Sequence, residues 1–238
     1  MADQPGTDRA VVIGGASGIG AALADRLRTE GSTVVVWDVR VPHDVRCDVA
    51  DPAQVDHAAA ATMDRIGVPS TVTVTAGVGH AGLLVEAGPE EWDRVMAVNA
   101  RGAWLAMRAF AGPMSQGEGG SIVAVSSVSA RLADRTMGLY CASKAALEMV
   151  VRVGAVEWGP RVRVNAVAPG VTDTPMLGGA ARTGPWLSGV GRRTALGRLG
   201  RAEDVAETVA AVHRLSWVTG HVVTCDGGLS LHSPIEPT

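Results

Sequence analysis

Apolar and polar positions follow two alternating rhythms along this chain. Short unbroken apolar runs at Ala10–Ile13, Thr33–Trp37, Thr71–Thr75, Ser121–Val125, Val162–Val167 and His221–Cys225 read as buried parallel strands. Between them lie stretches with helical spacing: Ile19–Thr29, Pro52–Ile66, Glu90–Phe110, Leu139–Trp158 and Ala202–Leu215. Strand and helix in strict turn predict an α/β fold with a doubly wound parallel sheet and helices on both faces. No repeat or linker interrupts the pattern, so one domain is expected over residues 9–232, between polar tails at 1–8 and 233–238. The least regular stretch, Val171–Gly200, is rich in Gly, Arg and Thr and reads as a functional lid.

Composition narrows the class. The 238 residues are 47% hydrophobic and 19% charged, which suits an ordered globular domain with a sizeable core. A net charge of −3 leaves no basic footprint for nucleic acid. The three cysteines, Cys47, Cys141 and Cys225, are far apart, which predicts reduced thiols and no metal centre. The polar start lacks the apolar run of a signal peptide, and no 18-residue apolar stretch suggests a membrane span. A cytoplasmic location is the expectation.

Candidate chemistry begins at Ala10–Gly20, which runs from strand to Gly-rich turn to helix. Gly14, Gly18 and Gly20 let backbone approach a pyrophosphate, and the helix N-terminus offers N–H groups to an anion. The second strand ends at Asp38, 18 residues past Gly20. A carboxylate there accepts hydrogen bonds from ribose hydroxyls and repels a 2′-phosphate, which favours NAD over NADP. Arg40, two residues on, argues the other way.

Tyr140 is the only tyrosine of the chain and Lys144 the only lysine. On a helix, positions four apart share a face. A free phenol titrates near pH 10, too high for proton exchange near neutrality, and a neighbouring ammonium lowers it. A drop of roughly three units corresponds to about 4 kcal/mol, a large demand on one exposed charge that a closed site with the positive nicotinamide nearby would meet. Ser127 lies 13 residues before Tyr140, just past a strand end, where its hydroxyl can hold a substrate oxygen in line with the phenol.

With these residues in order, the chain resembles the short-chain dehydrogenase/reductase family in its single-domain Y-x-x-x-K branch. The resemblance runs from about Arg9 to Leu229 and also takes in Asp48-Val49, Ala76-Gly77, Asn99, Asn165, Pro169-Gly170 and Asp226-Gly227-Gly228. It implies a Rossmann-type fold. It implies that Ser17 and Ile19 join the glycines at the pyrophosphate, that Asp48 and Val49 meet adenine, and that Ala76 and Gly77 contact the cofactor through backbone. Pro169, Gly170, Thr172 and Thr174 are expected to support the nicotinamide and pyrophosphate. Lys144 is expected to bind the nicotinamide ribose and Tyr140 to act as acid/base. The family's spacing selects Ser127 over Ser126. Asn99 is assigned to a proton relay that holds a water beside Lys144, and Asn165 to structure. Resemblance also implies that the helices Ala100–Phe110 and Leu139–Trp158 pair between subunits, giving a homotetramer or homodimer.

Four departures stand out. Ile13 replaces a Thr, Val74-Thr75 replaces an Asn pair that ties strands, and Thr172 replaces an apolar residue. Only nine residues separate Asp38 from Asp48, too few for the usual helix. The second crossover helix is therefore predicted missing, with Val39–Asp44 leading straight into a stubby edge strand.

On the substrate side, the candidates are His80–Leu84, Val128–Met137 and Met176–Val190 with Trp186. Arg131, Arg135 and Arg182 either meet an anionic substrate tail or are solvated surface, the commoner state of Arg. His80 and Cys141 line the pocket or simply pack there. The expected activity is NAD-dependent interconversion of a secondary alcohol and a ketone. The alternatives are an NADPH-dependent 3-oxoacyl thioester reductase and a non-catalytic dinucleotide-binding protein.

Overall fold

A computed structural model describes residues 8–178 and 185–231, with the side chains of residues 185–188 undescribed. The expected tails, Arg182, the Trp186 side chain and the middle of the expected lid lie outside the described residues.

Seven parallel strands form one sheet in the order β3-β2-β1-β4-β5-β6-β9. They are β1 (Arg9–Ile13), β2 (Thr33–Asp38), β3 (Val45–Arg46), β4 (Thr71–Val74), β5 (Gly120–Val125), β6 (Val162–Pro169) and β9 (Val222–Cys225). Two further short strands, β7 (Thr172–Asp173) and β8 (Gly200–Arg201), pair with each other across the lid. The side chains of β1 alternate between two cores. Val11 and Ile13 join α2 (Pro52–Ile66), α4 (Ala103–Gln116) and α5 (Gly138–Glu157) on one face. Ala10 and Val12 join α1 (Gly18–Thr29) and α7 (Ala202–Arg214) on the other. None of the described helices is long and apolar enough to cross a membrane.

The missing helix is as expected. Parallel neighbours ordinarily need a long crossover because the chain must return the full length of a strand. Here β3 is two residues long and pairs only with Trp37 and Asp38, so the chain steps back roughly 7 Å. Asp44 holds that step. Its backbone N–H donates to Val36 O at 2.9 Å, and its carboxylate accepts from Val36 N at 2.8 Å. Trp37 anchors the strand from inside: its indole N–H donates to Thr62 Oγ1 at 2.8 Å, and its ring packs on Phe110.

Two helical regions differ from expectation. Glu90–Phe110 is part of a longer run: α3 (Pro89–Met96), a wider π-type turn at Ala97–Gly102, then α4. The lid also contains α6 (Pro185–Arg193), whose Gly-rich sequence hid it.

Candidate active site

The site lies beyond the C-terminal ends of β1, β4, β5 and β6. At β1, Gly14 has φ +85°, and a Cβ there would come within 2.5 Å of Ala76 N, so the turn after β1 and the loop after β4 are in backbone contact. Of the two outcomes open for the Val74-Thr75 replacement, a side-chain tie lost or altered, the structure shows the second. Thr75 Oγ1 lies 2.9 Å from both the Ile13 and Gly14 carbonyls, so the tie is altered and kept. Ser17 begins α1 without capping it by its side chain, and the helix's first turn carries no acid. The N–H groups of Gly18, Ile19 and Gly20 are thus left for an external anion. Thr174 sits over Gly18: a Cβ on that glycine would lie 3.3 Å from the Thr174 Cβ.

Asp38 ends β2 buried, and the structure gives it a task the sequence did not suggest. One carboxylate oxygen accepts from Ala16 N at 3.0 Å and the other from Arg40 N at 2.9 Å. The acid therefore braces the Gly-rich turn, with lone pairs left for ribose hydroxyls. The Arg40 guanidinium reaches across to donate to Ser17 Oγ at 3.0 Å, at the rim of the same turn. Asp48 caps its own turn, accepting from Ala50 N at 2.9 Å, while Val49 is buried against Gly102.

Across the sheet, Gly77 marks where the catalytic candidates meet. A Cβ there would lie 3.3 Å from Asn99 Oδ1, 3.6 Å from Lys144 Nζ and 3.7 Å from the Met176 methyl of the lid. Asn99 occupies the π-type turn, a distortion frequent at functional sites. Its Oδ1 accepts from Val78 N at 2.8 Å, and its Nδ2 donates to Val78 O at 2.9 Å and to Ser143 Oγ at 3.0 Å. Both amide hydrogens are spent on protein, so the side chain ties the Gly77 loop to α5. Asn165 is structural as expected, donating to Val218 O and accepting from His221 N beside β6.

Tyr140, Lys144 and Ser127 are all buried. Ser127 Oγ accepts from Ser129 N at 3.2 Å, opening a 3-10 turn at Val128–Ala130 and leaving its own hydrogen free to turn toward the phenol. Ser126 is excluded as a rival because its hydroxyl donates to Glu148 Oε1 at 3.1 Å. Lys144 Nζ donates to Val125 O at 2.8 Å and lies 5.8 Å from the centre of the Tyr140 ring.

Without a bound cofactor, the electrostatics are set by burial. Burial pushes the Tyr140 phenol above its ordinary value, and the nearby Ser127 hydroxyl works in the opposite direction. Burial also pulls Lys144 down to about 8. Within the protein alone, desolvation therefore sets the direction of the phenol's shift.

Among the Pro169–Thr174 residues, Gly170 N donates to Cys225 O at 3.1 Å, and Thr172 Oγ1 donates to Gly170 O at 3.1 Å. Gly170 packs on Asp226, where a Cβ would come within 2.8 Å of the Asp226 side chain. His80 is half-buried, with Nδ1 enclosed and unbonded, and Cys141 is a half-buried thiol raised by burial. Arg135 is exposed. Arg131 is exposed as well, with its guanidinium paired to Glu148 at 3.3 Å. Glu148 itself was missed by the sequence reading. It is buried on α5, two turns past Tyr140.

Taken together, the parallel sheet, the Gly-rich turn and the buried Ser-Tyr-Lys group define a dinucleotide-binding oxidoreductase fold. A family model described as enoyl-(acyl carrier protein) reductase matches residues 14–230. The chain is 35% identical to the short-chain reductase protein NovJ of Streptomyces niveus, over 92% of each chain. It is also 35% identical to cis-4-hydroxycyclohexanecarboxylate dehydrogenase of Sinomonas cyclohexanicum, over 92% of this chain and 95% of the other. Among solved structures, the aldohexose dehydrogenase of Thermoplasma acidophilum superposes with a TM-score of 0.92 at 30% identity, over 98% of this chain and 97% of the other. This chain belongs to the short-chain dehydrogenase/reductase family, whose members use a nicotinamide dinucleotide.

Proposed function

We propose that this protein is an NAD(H)-dependent oxidoreductase that interconverts a secondary alcohol and a ketone. The observation that carries the reading is the burial of Tyr140, Lys144 and Ser127 around one strand end, beside a Gly-rich turn with an uncapped helix N-terminus. A bound nicotinamide dinucleotide supplies or accepts the hydride. Gly14, Ser17, Gly18, Ile19 and Gly20 would hold its pyrophosphate, Asp38 the adenosine ribose, Asp48 and Val49 the adenine, and Ala76, Gly77, Pro169, Gly170, Thr172 and Thr174 the nicotinamide half. Tyr140 exchanges a proton with the substrate oxygen, and the Ser127 hydroxyl orients that oxygen. Lys144, an ammonium below about pH 8, favours the ionised phenol and binds ribose hydroxyls. Asn99 fixes the loop that closes this side of the site.

A homotetramer or homodimer is part of the proposal. Exposed apolar side chains on α4 and α5, Trp104, Met149, Val153 and Val156, support pairing of those helices between copies.

The second reading, an NADPH-dependent 3-oxoacyl thioester reductase, draws on Arg40. Its guanidinium stands beside Ser17, where it would meet a 2′-phosphate. A non-catalytic binder is disfavoured, because binding alone gives no reason to bury an acid/base group. The test is a titration with NAD⁺ and NADP⁺, followed by alcohols and ketones of both cyclic and thioester kinds. Tighter NAD⁺ binding with turnover of a secondary alcohol supports the leading reading. Tighter NADP⁺ binding with turnover of a 3-oxoacyl thioester replaces it.

A further inference from the structure

We infer that Glu148 is a positioning residue that locks helix α5 against the end of β5 and so holds Lys144 and Ser127 in place. The inference deepens the catalytic reading of those residues and rests on it. Tyr140, Lys144 and Glu148 occupy successive turns of one face of α5. Each meets a different residue of one three-residue segment. Tyr140 faces the Ser127 hydroxyl, Lys144 Nζ donates to Val125 O at 2.8 Å, and Glu148 Oε1 accepts from Ser126 Oγ at 3.1 Å. The helix is thus fastened to the strand end at three consecutive positions, and only the Glu148 fastening has no direct part in the chemistry.

Glu148 is 3% exposed, yet four donors reach it, which distinguishes it from a solvated surface acid. Besides Ser126, Arg131 binds it through Nε and Nη2, both at 3.3 Å, and Arg152 through Nη2 at 3.3 Å. Arg131 follows the 3-10 turn that Ser127 opens, and its Nη1 donates to Thr224 in β9 at 3.3 Å. The turn carrying Ser127 is therefore held at both ends, by Ser127's own cap and by Arg131 on Glu148. Removing the carboxylate would leave Ser126 buried without its acceptor and release the half-exposed Arg131 and Arg152 from the strand end. The charged and titratable groups bordering this face are Arg131 and Arg152 near Glu148, and Asp134 and Cys141 near Tyr140.

Lys144 is the only lysine, so labelling lysine at its side-chain nitrogen gives one resonance, readable without any turnover. In a folded Glu148→Leu variant, Lys144 is expected to gain water and titrate nearer to free lysine than in the wild type. Its kcat is expected to fall on the order of 10–100-fold with little change in KM. Glu148→Gln, which keeps an acceptor for Ser126, should recover most of both properties. Arg131→Met should shift the resonance in the same direction and add little to Glu148→Leu. If Glu148→Leu does not fold, Arg131→Met carries the same reading, with Glu148→Gln as the near-wild-type control. A wild-type Lys144 titration in folded Glu148→Leu or Arg131→Met, even with a lowered melting temperature, overturns the inference. If the wild type turns over no alcohol or ketone while the Lys144 resonance still moves, the functional reading fails and the positioning role stands.

Discussion

The two ends of the cofactor cleft are built differently. At the α5 end, Tyr140, Lys144, Ser127, Asn99 and Glu148 are all buried, and each is fastened to a neighbouring element. At the β3 edge the sheet thins to a two-residue strand, the crossover helix is gone, and Arg40 and Val41 stand in solvent. The difference follows from what each end must do. Proton exchange needs atoms held to a fraction of an ångström, and packing supplies that rigidity. Grip on an adenosine needs a few hydrogen bonds, and a braced carboxylate with a short loop provides them. The chain has kept structure where geometry sets the rate and trimmed it where geometry sets only affinity.

Variants at the two ends should therefore fail in different ways. Tyr140→Phe, at the buried end, should lower kcat by about 10²–10⁴-fold and leave dinucleotide binding within a few-fold, measured by initial rates and by titration. Lys144→Met should lower kcat by about 10²-fold and carry a stability signature as well. Burial holds the folded Lys144 near 8 while the unfolded lysine titrates near 10.5, so the unfolded state binds the extra proton between those values. The Lys144 contribution to stability is full above pH 10.5 and is lost as pH falls toward 8. Wild type should gain about 3 kcal/mol over Lys144→Met across that window, read by denaturant melts at several pH values.

Smaller effects are expected at the adenine edge. Asp38→Ala frees the Ala16 and Arg40 N–H groups and should weaken NAD⁺ binding about 10–100-fold, with kcat at saturation nearly unchanged. A large kcat loss there would break the contrast between the two ends. Arg40→Ala should have the smallest effect, a few-fold weakening of NADP⁺ with NAD⁺ unaffected, because its guanidinium is exposed and screened.

Much of this contrast was legible in the sequence. Strand runs and helical spacing carried the layered sheet, and the nine residues between Asp38 and Asp48 carried the missing helix. The single Tyr and single Lys marked the catalytic helix before any geometry was known. What was not legible came from tertiary packing. Glu148 reads along the chain as a polar position on a helix, and only the approach of Ser126 and Arg131 reveals it as buried. Asp38 reads as a ribose ligand, and its brace to Ala16 depends on a turn 22 residues away. The upward push of burial on Tyr140 was not legible either, because pairing with Lys144 is local while burial depends on the whole fold. Glycines hid α6, and nothing in the Val98-Asn99-Ala100 sequence announces a π-type turn.

The account stands most directly on the ionisation of Tyr140. As the only tyrosine, it gives an isolated tyrosinate absorbance that can be titrated with and without NAD⁺. Free protein should titrate above the ordinary phenol value of about 10, and saturating NAD⁺, which brings positive charge beside the phenol, should move the titration downward by a unit or more. An unchanged or raised titration in the presence of bound NAD⁺ would contradict the assignment of Tyr140 as the acid/base.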